Sequence, residues 1–204
     1  MTTPDAVLSP HAHHHSADHA AAWVGGRSIT VAEVDRRLAV LRDGPLASRL
    51  PPQDTPQGRN LRRWLVQVLA VEELVAQEAA ARAVVCEPRD GSPGALTLAE
   101  ALRAGGVTAA VLAANPLARA LRRRVVEGVG VPEEQIRSYY DRNRDRHAGA
   151  YAQERAAIEK DLAQAARERA FNRWLDQRHA ELVRLEPGFE HPADPHQPDA
   201  DHRH

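Results

Sequence analysis

The sequence predicts a mainly α-helical protein carrying a small β-hairpin, and three observations carry that expectation. Hydrophobic residues make up 43% of the chain but aromatics only 4%, so the core has to be built from Leu, Val and Ala. Ala and Leu lose little on entering a helix. Apolar residues also recur at helical spacing through several long segments. Finally, Gly25-Gly26 lies between two short apolar runs, Ala22-Trp23-Val24 and Arg27-Ser28-Ile29, which reads as a hairpin whose turn positions both tolerate positive φ.

A two-stranded hairpin is marginal in water, so this one needs a further strand. The expected partner is late in the chain, at residues 182–185. Thr30-Val31-Ala32-Glu33 has the spacing of a capping box, and the helix it opens carries Val31, Val34, Leu38 and Leu41 on one face. Asp43-Gly44-Pro45 stops it, and a Pro- and Gln-rich loop is expected to about Gly58. From Asn60 to Ala83 the spacing is helical again, with Leu61, Trp64, Leu65, Val68, Val71 and Val75 in one stripe.

A loop over residues 87–94 precedes a second capping-box spacing, Thr97 to Glu100, and a short helix ending at Gly105-Gly106. Asn115-Pro116 supplies a cap residue followed by Pro at the first helical position, opening a helix to Val126. Gly128-Val129-Gly130 marks a joint. Pro132-Glu133-Glu134 starts the next helix with acidic residues at its positive end, and Ile136, Tyr139 and Tyr140 form its buried side. His147-Ala148-Gly149 breaks it. A long helix then runs from Tyr151 to about His179, with Ile158, Leu162, Ala166, Phe171, Trp174, Leu175 and Leu182 as core candidates. The expected organisation is a His-rich tail (1–20), one helical domain (21–186) and a Pro-, Asp- and His-rich tail (187–204). Within the domain an N-terminal lobe (21–128) precedes the C-terminal helices (131–186).

The 27 basic residues, of which only Lys160 is lysine, balance 28 acidic ones for a net charge of -1. That excludes the summed positive field that nucleic acid or an anionic membrane would require. No apolar run approaches the roughly 20 residues of a membrane helix. Residues 1–20 have neither the basic nor the apolar region of a secretory signal. The expected location is therefore cytoplasmic. Cys86 is the only cysteine, so no intrachain disulfide forms.

Four segments in order resemble the SurA- and PrsA-type foldases associated with parvulin isomerases. Residues 23–35, with strand, Gly turn, strand and Thr-x-x-Glu helix start, look like the opening of that family. Residues 61–83, with Leu69, Glu72-Glu73-Leu74 and Glu78-Ala79, are similar to its long second helix. Residues 131–143 look like the segment before the isomerase domain, and residues 158–185 resemble its C-terminal helix and closing strand. An isomerase domain needs about 90 residues between Asn143 and Tyr151, where this chain has seven, so isomerase activity is not carried over. The resemblance implies a SurA-like helical chaperone core: an N-terminal lobe clamped by a C-terminal helix, with a groove for a client peptide or partner protein. Trp64, Leu65, Tyr139, Tyr140, Phe171 and Trp174 are the candidate lining of that groove.

Catalytic signatures are thin. No Ser lies in a Gly-x-Ser-x-Gly elbow, no Gly-Lys-Ser/Thr phosphate loop is present, and Cys86 has no neighbouring activator in sequence. Nine of the eleven histidines lie at the ends. His11, His13, His14, His15 and His19 precede the hairpin; His191, His196, His202 and His204 follow the last strand, interleaved with Asp194, Asp199 and Asp201. Imidazole and carboxylate suit copper, zinc, nickel or iron. If the hairpin meets the last strand, both tails start close together. Two readings stay open, a joined transition-metal site or a solvated tail that binds metal loosely. Two functions follow: a chaperone-like binding protein, or a metal-dependent enzyme or metal-handling protein using the tails.

Overall fold

The computed structural model describes residues 19–87 and 106–197. Strands β1 (Ala20–Val24) and β2 (Arg27–Thr30) form the expected hairpin. Of the two turn glycines only Gly25 takes a positive φ, at +55°, at the first position of the two-residue loop. A side chain there would also meet the Gln77 amide oxygen at 2.9 Å. The late strand is present: β3 (Val183–Leu185) pairs antiparallel with β1, placing Ala22 opposite Leu185 and Val24 opposite Val183. Hydrogen bonds from Gly25 N–H to Leu182 O (2.8 Å) and from Glu186 N–H to Ala21 O (3.0 Å) extend this pairing at both ends. The sheet order is β2-β1-β3, so the strand nearest the start of the described chain is the central one.

Helix α1 (Val31–Arg42) begins with the reciprocal capping box that the sequence predicts. The Thr30 hydroxyl accepts from Glu33 N–H at 3.2 Å, and the Glu33 carboxylate accepts from Thr30 N–H at 2.8 Å. Its apolar face, Val31, Val34, Leu38 and Leu41, is buried.

Helix α2 (Pro56–Ala81) starts four residues earlier than its periodicity predicts. Thr55 caps it by accepting from Gly58 N–H at 3.1 Å, and Pro56 stands at the first position, where a missing N–H costs nothing. The expected loop therefore ends sooner. Gly58 is required because a Cβ there would lie 2.0 Å from Pro52 O. Residues 63–68 are all buried, more than a full helical turn. α2 is thus enclosed by β1, α1 and three further helices, among them α3 (Val107–Ala114) and α4 (Pro116–Val125). α4 is capped by Asn115, as its sequence predicts. α3 is not foreseen in the sequence: Val-Thr-Ala-Ala-Val-Leu-Ala-Ala is apolar all round and carries no helical period to read. The expected capping box at Thr97 and the short helix after it lie outside the described residues.

Helix α5 (Glu133–Arg142) ends before a single 3-10 turn (Arg144–Arg146), and α6 (Tyr151–Leu182) then runs for 32 residues, about 48 Å at helical rise. Its far end carries Phe171 and Leu175 into the main core, alongside Leu65, Val66, Leu74, Val75 and Leu121. Its near end carries Ile158 into a separate cluster with Ile136 and Tyr140, flanked by Val131, Tyr139, Tyr151 and Leu162. Phe171 and Ile158 stand about 20 Å apart along the helix axis. α5 and the first half of α6 therefore form an arm on the main body. The packed unit also extends past residue 186, since Phe189 is buried in the main core.

Two substitutions separate body from arm. Leu74→Ala in the main core should cost about 2–5 kcal/mol in urea unfolding. Ile158→Ala should instead raise amide exchange in α5 and the first half of α6 while leaving α2 protected. Equal loosening of α2 and α5 by Ile158→Ala would mean that one core serves both.

Candidate functional site

The six residues expected to line one groove fall in two places. Leu65 and Phe171 are 1% and 2% exposed in the main core, where Trp64 and Trp174 adjoin them. Phe171 stacks on Trp174 at 5.6 Å. Tyr139 and Tyr140 belong to the arm, with the Tyr140 hydroxyl donating to Gly149 O at 2.9 Å. These side chains build the two packed clusters.

Of the candidate metal ligands, His11, His13, His14, His15, Asp199, Asp201, His202 and His204 lie outside the described residues. His19 is exposed, and its carbonyl accepts from Val31 N–H at 2.9 Å. His191 accepts from Ala193 N–H through Nδ1 (3.0 Å), while Asp194 Oδ1 accepts from His196 N–H (2.9 Å) and faces His196 Nδ1 (3.2 Å). Those hydrogen bonds hold the Asp194 carboxyl below its ordinary range. Among the described residues, no three His, Cys, Asp or Glu side chains are grouped to hold a metal ion.

An open surface is found instead between α1 and α2. Two adjoining hollows, of about 200 and 440 Å³, share Glu33 and Leu69. Ile29 and Leu69 supply apolar surface in the first, and Leu69 and Val40 in the second. Val40 is 67% exposed, a large apolar side chain on the solvent face of α1. Ion pairs rim the hollows. Arg27 bridges Glu33 and Glu73, both at 2.8 Å, and Arg37 pairs with Glu72 at 2.5 Å. Burial pushes the Glu33 carboxyl up, but hydrogen bonds from Thr30 and the charge of Arg27 outweigh it and leave the group below its ordinary range. Around the two hollows stand three arginines, Arg27, Arg36 and Arg37, and three glutamates, Glu33, Glu72 and Glu73. Sequence reading missed this groove, although it left a signal: Val40 and Leu69 are apolar yet fall off the stripes of their helices.

The side of α2 toward α6 is closed. Glu78 is 4% exposed; Arg178 of α6 donates to its Oε1 from Nε (2.7 Å) and Nη2 (2.5 Å), and Arg82 donates to its Oε2. The Arg82 guanidinium also stands 5.3 Å over the Trp174 ring. This clasp links the helices and leaves Glu78 no free oxygen for chemistry.

One family, described as a family of unknown function (DUF7158), matches residues 20–57, which span the hairpin, α1 and the loop into α2. No curated protein matches the chain. No solved structure matches it either. Fold and site together define a class: a mainly helical protein with a three-stranded antiparallel sheet and a charged-rimmed groove on its N-terminal lobe.

Two outcomes follow. Removing Glu78 alone strands two guanidinium groups against the α2–α6 interface, so Glu78→Met should lower the urea midpoint. The double variant Glu78→Met with Arg178→Met should recover part of that loss. No recovery would mean that the clasp is not coupled. Second, burial holds the His179 imidazole below its ordinary range, with Asp176 opposing and His191 reinforcing the shift. The unfolded chain then binds the proton more readily, so this group's effect is absent above the unfolded value near 6.5 and stability falls as pH drops below it. His179→Gln should flatten the fall in urea midpoint between about pH 7.5 and 5.5. An unchanged slope would show that His179 does not contribute.

Proposed function

We propose that this chain is a non-catalytic peptide- or protein-binding protein of the foldase-chaperone type, and that the α1–α2 groove is its binding surface. The observation that carries this reading is the groove itself: the exposed Val40 and the half-buried Leu69 beside it, ringed by paired charges. The capped start of α1 and the enclosed helix α2 hold its walls rigid, so little ordering entropy is lost when a segment docks. An extended segment would lay apolar side chains on Val40 and Leu69, with its polar groups toward the Arg–Glu rim. The clamp topology agrees with the resemblance read in the sequence, since β3 and α6 close back on the N-terminal hairpin. The seven residues between Asn143 and Tyr151 form one 3-10 turn and a short link.

The mechanism is sequestration, in which burial of client apolar area contributes about 25 cal/mol per Å² and no bond is made or broken. Among the described residues no helix is long and apolar enough to cross a membrane. The wild-type protein should slow the aggregation of a heat-unfolded reporter enzyme, followed by light scattering. Val40→Asp, at a position 67% exposed, should weaken that effect while leaving the unfolding midpoint near wild type. A reporter that aggregates at the same rate with and without the wild-type protein would rule the reading out.

A further inference from the structure

We propose that residues 186–197 form a displaceable strap, an internal ligand whose socket beside α2 accepts an extended peptide with an aromatic anchor. The inference rests on the binding role proposed above and names a partner chemistry for it. Its starting point is a mismatch: the segment after β3 is rich in Pro, Asp and His, yet Phe189 within it is only 3% exposed and belongs to the main core. Gly188, at φ +91°, turns the chain so that the ring points inward.

The contacts to the body are of a kind that another chain could reproduce. Arg63, itself 4% exposed, donates from Nε to Gly188 O at 3.3 Å. Such a backbone carbonyl is available in any extended peptide. The Arg62 guanidinium lies 5.8 Å over the Phe189 ring while pairing with Asp35 of α1 at 2.7 Å. That arrangement is an aromatic socket roofed by a cation and steadied from the neighbouring helix. Glu186 N–H donates to Ala21 O, continuing the β1–β3 pairing into the strap.

The strap also closes on itself in small turns. Phe189 N–H donates to Glu186 O (3.0 Å), Gly188 N–H to Glu190 Oε1 (2.8 Å), Asp194 N–H to His191 O (2.8 Å) and the Gln197 amide to Pro192 O (3.3 Å). A segment whose turns are internally bonded leaves the body without stranding those groups. One feature opposes the closed state: Glu190 Oε2 is buried without a hydrogen-bond partner, a cost that release removes. Local opening of such an irregular terminal segment needs no unfolding of the helices beneath it.

The test uses the full-length chain and a fluorescent peptide, Glu-Pro-Gly-Phe-Glu-His, copied from residues 186–191. Two variants free the strap: Phe189→Ala removes the anchor, and Gly188→Ala strains the turn while keeping it. Amide exchange over 186–197 should rise in both. Polarisation should show the peptide binding them about tenfold or more tightly than wild type, since the occupied socket reduces apparent affinity by the fraction that is open. A peptide with Ala in place of Phe should not bind, and adding Arg63→Gln to either variant should weaken binding. If Phe189→Ala does not fold, Gly188→Ala decides alone. Faster strap exchange without tighter peptide binding overturns the proposal, as does unchanged exchange in Gly188→Ala, or wild type binding as tightly as the variants. Weakened client holding in the groove variant, with no peptide binding to the strap variants, would remove the strap proposal and leave the groove standing.

Discussion

The backbone pairing of β1 with β3 is the constraint on which the rest of the molecule depends. It joins residues 22 and 185, which are far apart in the chain, and so turns a helical string into a closed clamp. β1 alone could not form a stable hairpin with β2; as the central strand it is bonded on both edges and covered by α2. The pairing also fixes where α6 ends, because Gly25 and Leu182 are bonded at the junction of helix and strand. With its end pinned, α6 lies across the body, presents Phe171 and Leu175 to the core and carries the α5 arm at its other end.

Five of the eight aromatic side chains have a guanidinium group over the ring. Arg62 faces Phe189, Arg82 faces Trp174, Arg184 faces Trp23, Arg144 faces Tyr140 and Arg137 faces Tyr151. Guanidinium groups suit this task because they are planar and weakly hydrated, and they continue to donate hydrogen bonds at their edges while stacked. Arg82 does both, lying over Trp174 and bonding Glu78. The arginine-rich, lysine-poor composition therefore has a structural use at element boundaries, where a helix end or strap meets the body.

The proposed binding surfaces sit on the N-terminal lobe, away from the clasp that joins α2 to α6. This division is physically sensible. The α2–α6 side is closed by a buried carboxylate with both oxygens engaged, and opening it would expose an unpaired charge. The α1–α2 side has Val40 at the surface and charges paired across a rim, so a segment can dock there without breaking the fold.

The sequence by itself determined the hairpin, its late third strand, the capped start of α1 and most of α2, α4, α5 and α6. Each of these is written in local chemistry: a Gly pair, a Thr-x-x-Glu box, an Asn-Pro start, or an apolar stripe at helical spacing. It did not disclose α3, whose almost wholly apolar residues have no period, or the start of α2, where Pro56 lies in a Pro- and Gln-rich stretch without helical spacing. Nor did it disclose which apolar residues line a surface. Trp64, Leu65 and Phe171 are buried in the main core and Trp174 packs against it, a placement that depends on which helices meet. Only the tertiary structure decided that Val40 lies open, that Leu69 is half-buried and that Phe189 folds inward. Exposure is a property of which elements stack on which, and a single helix repeat carries no record of its neighbours.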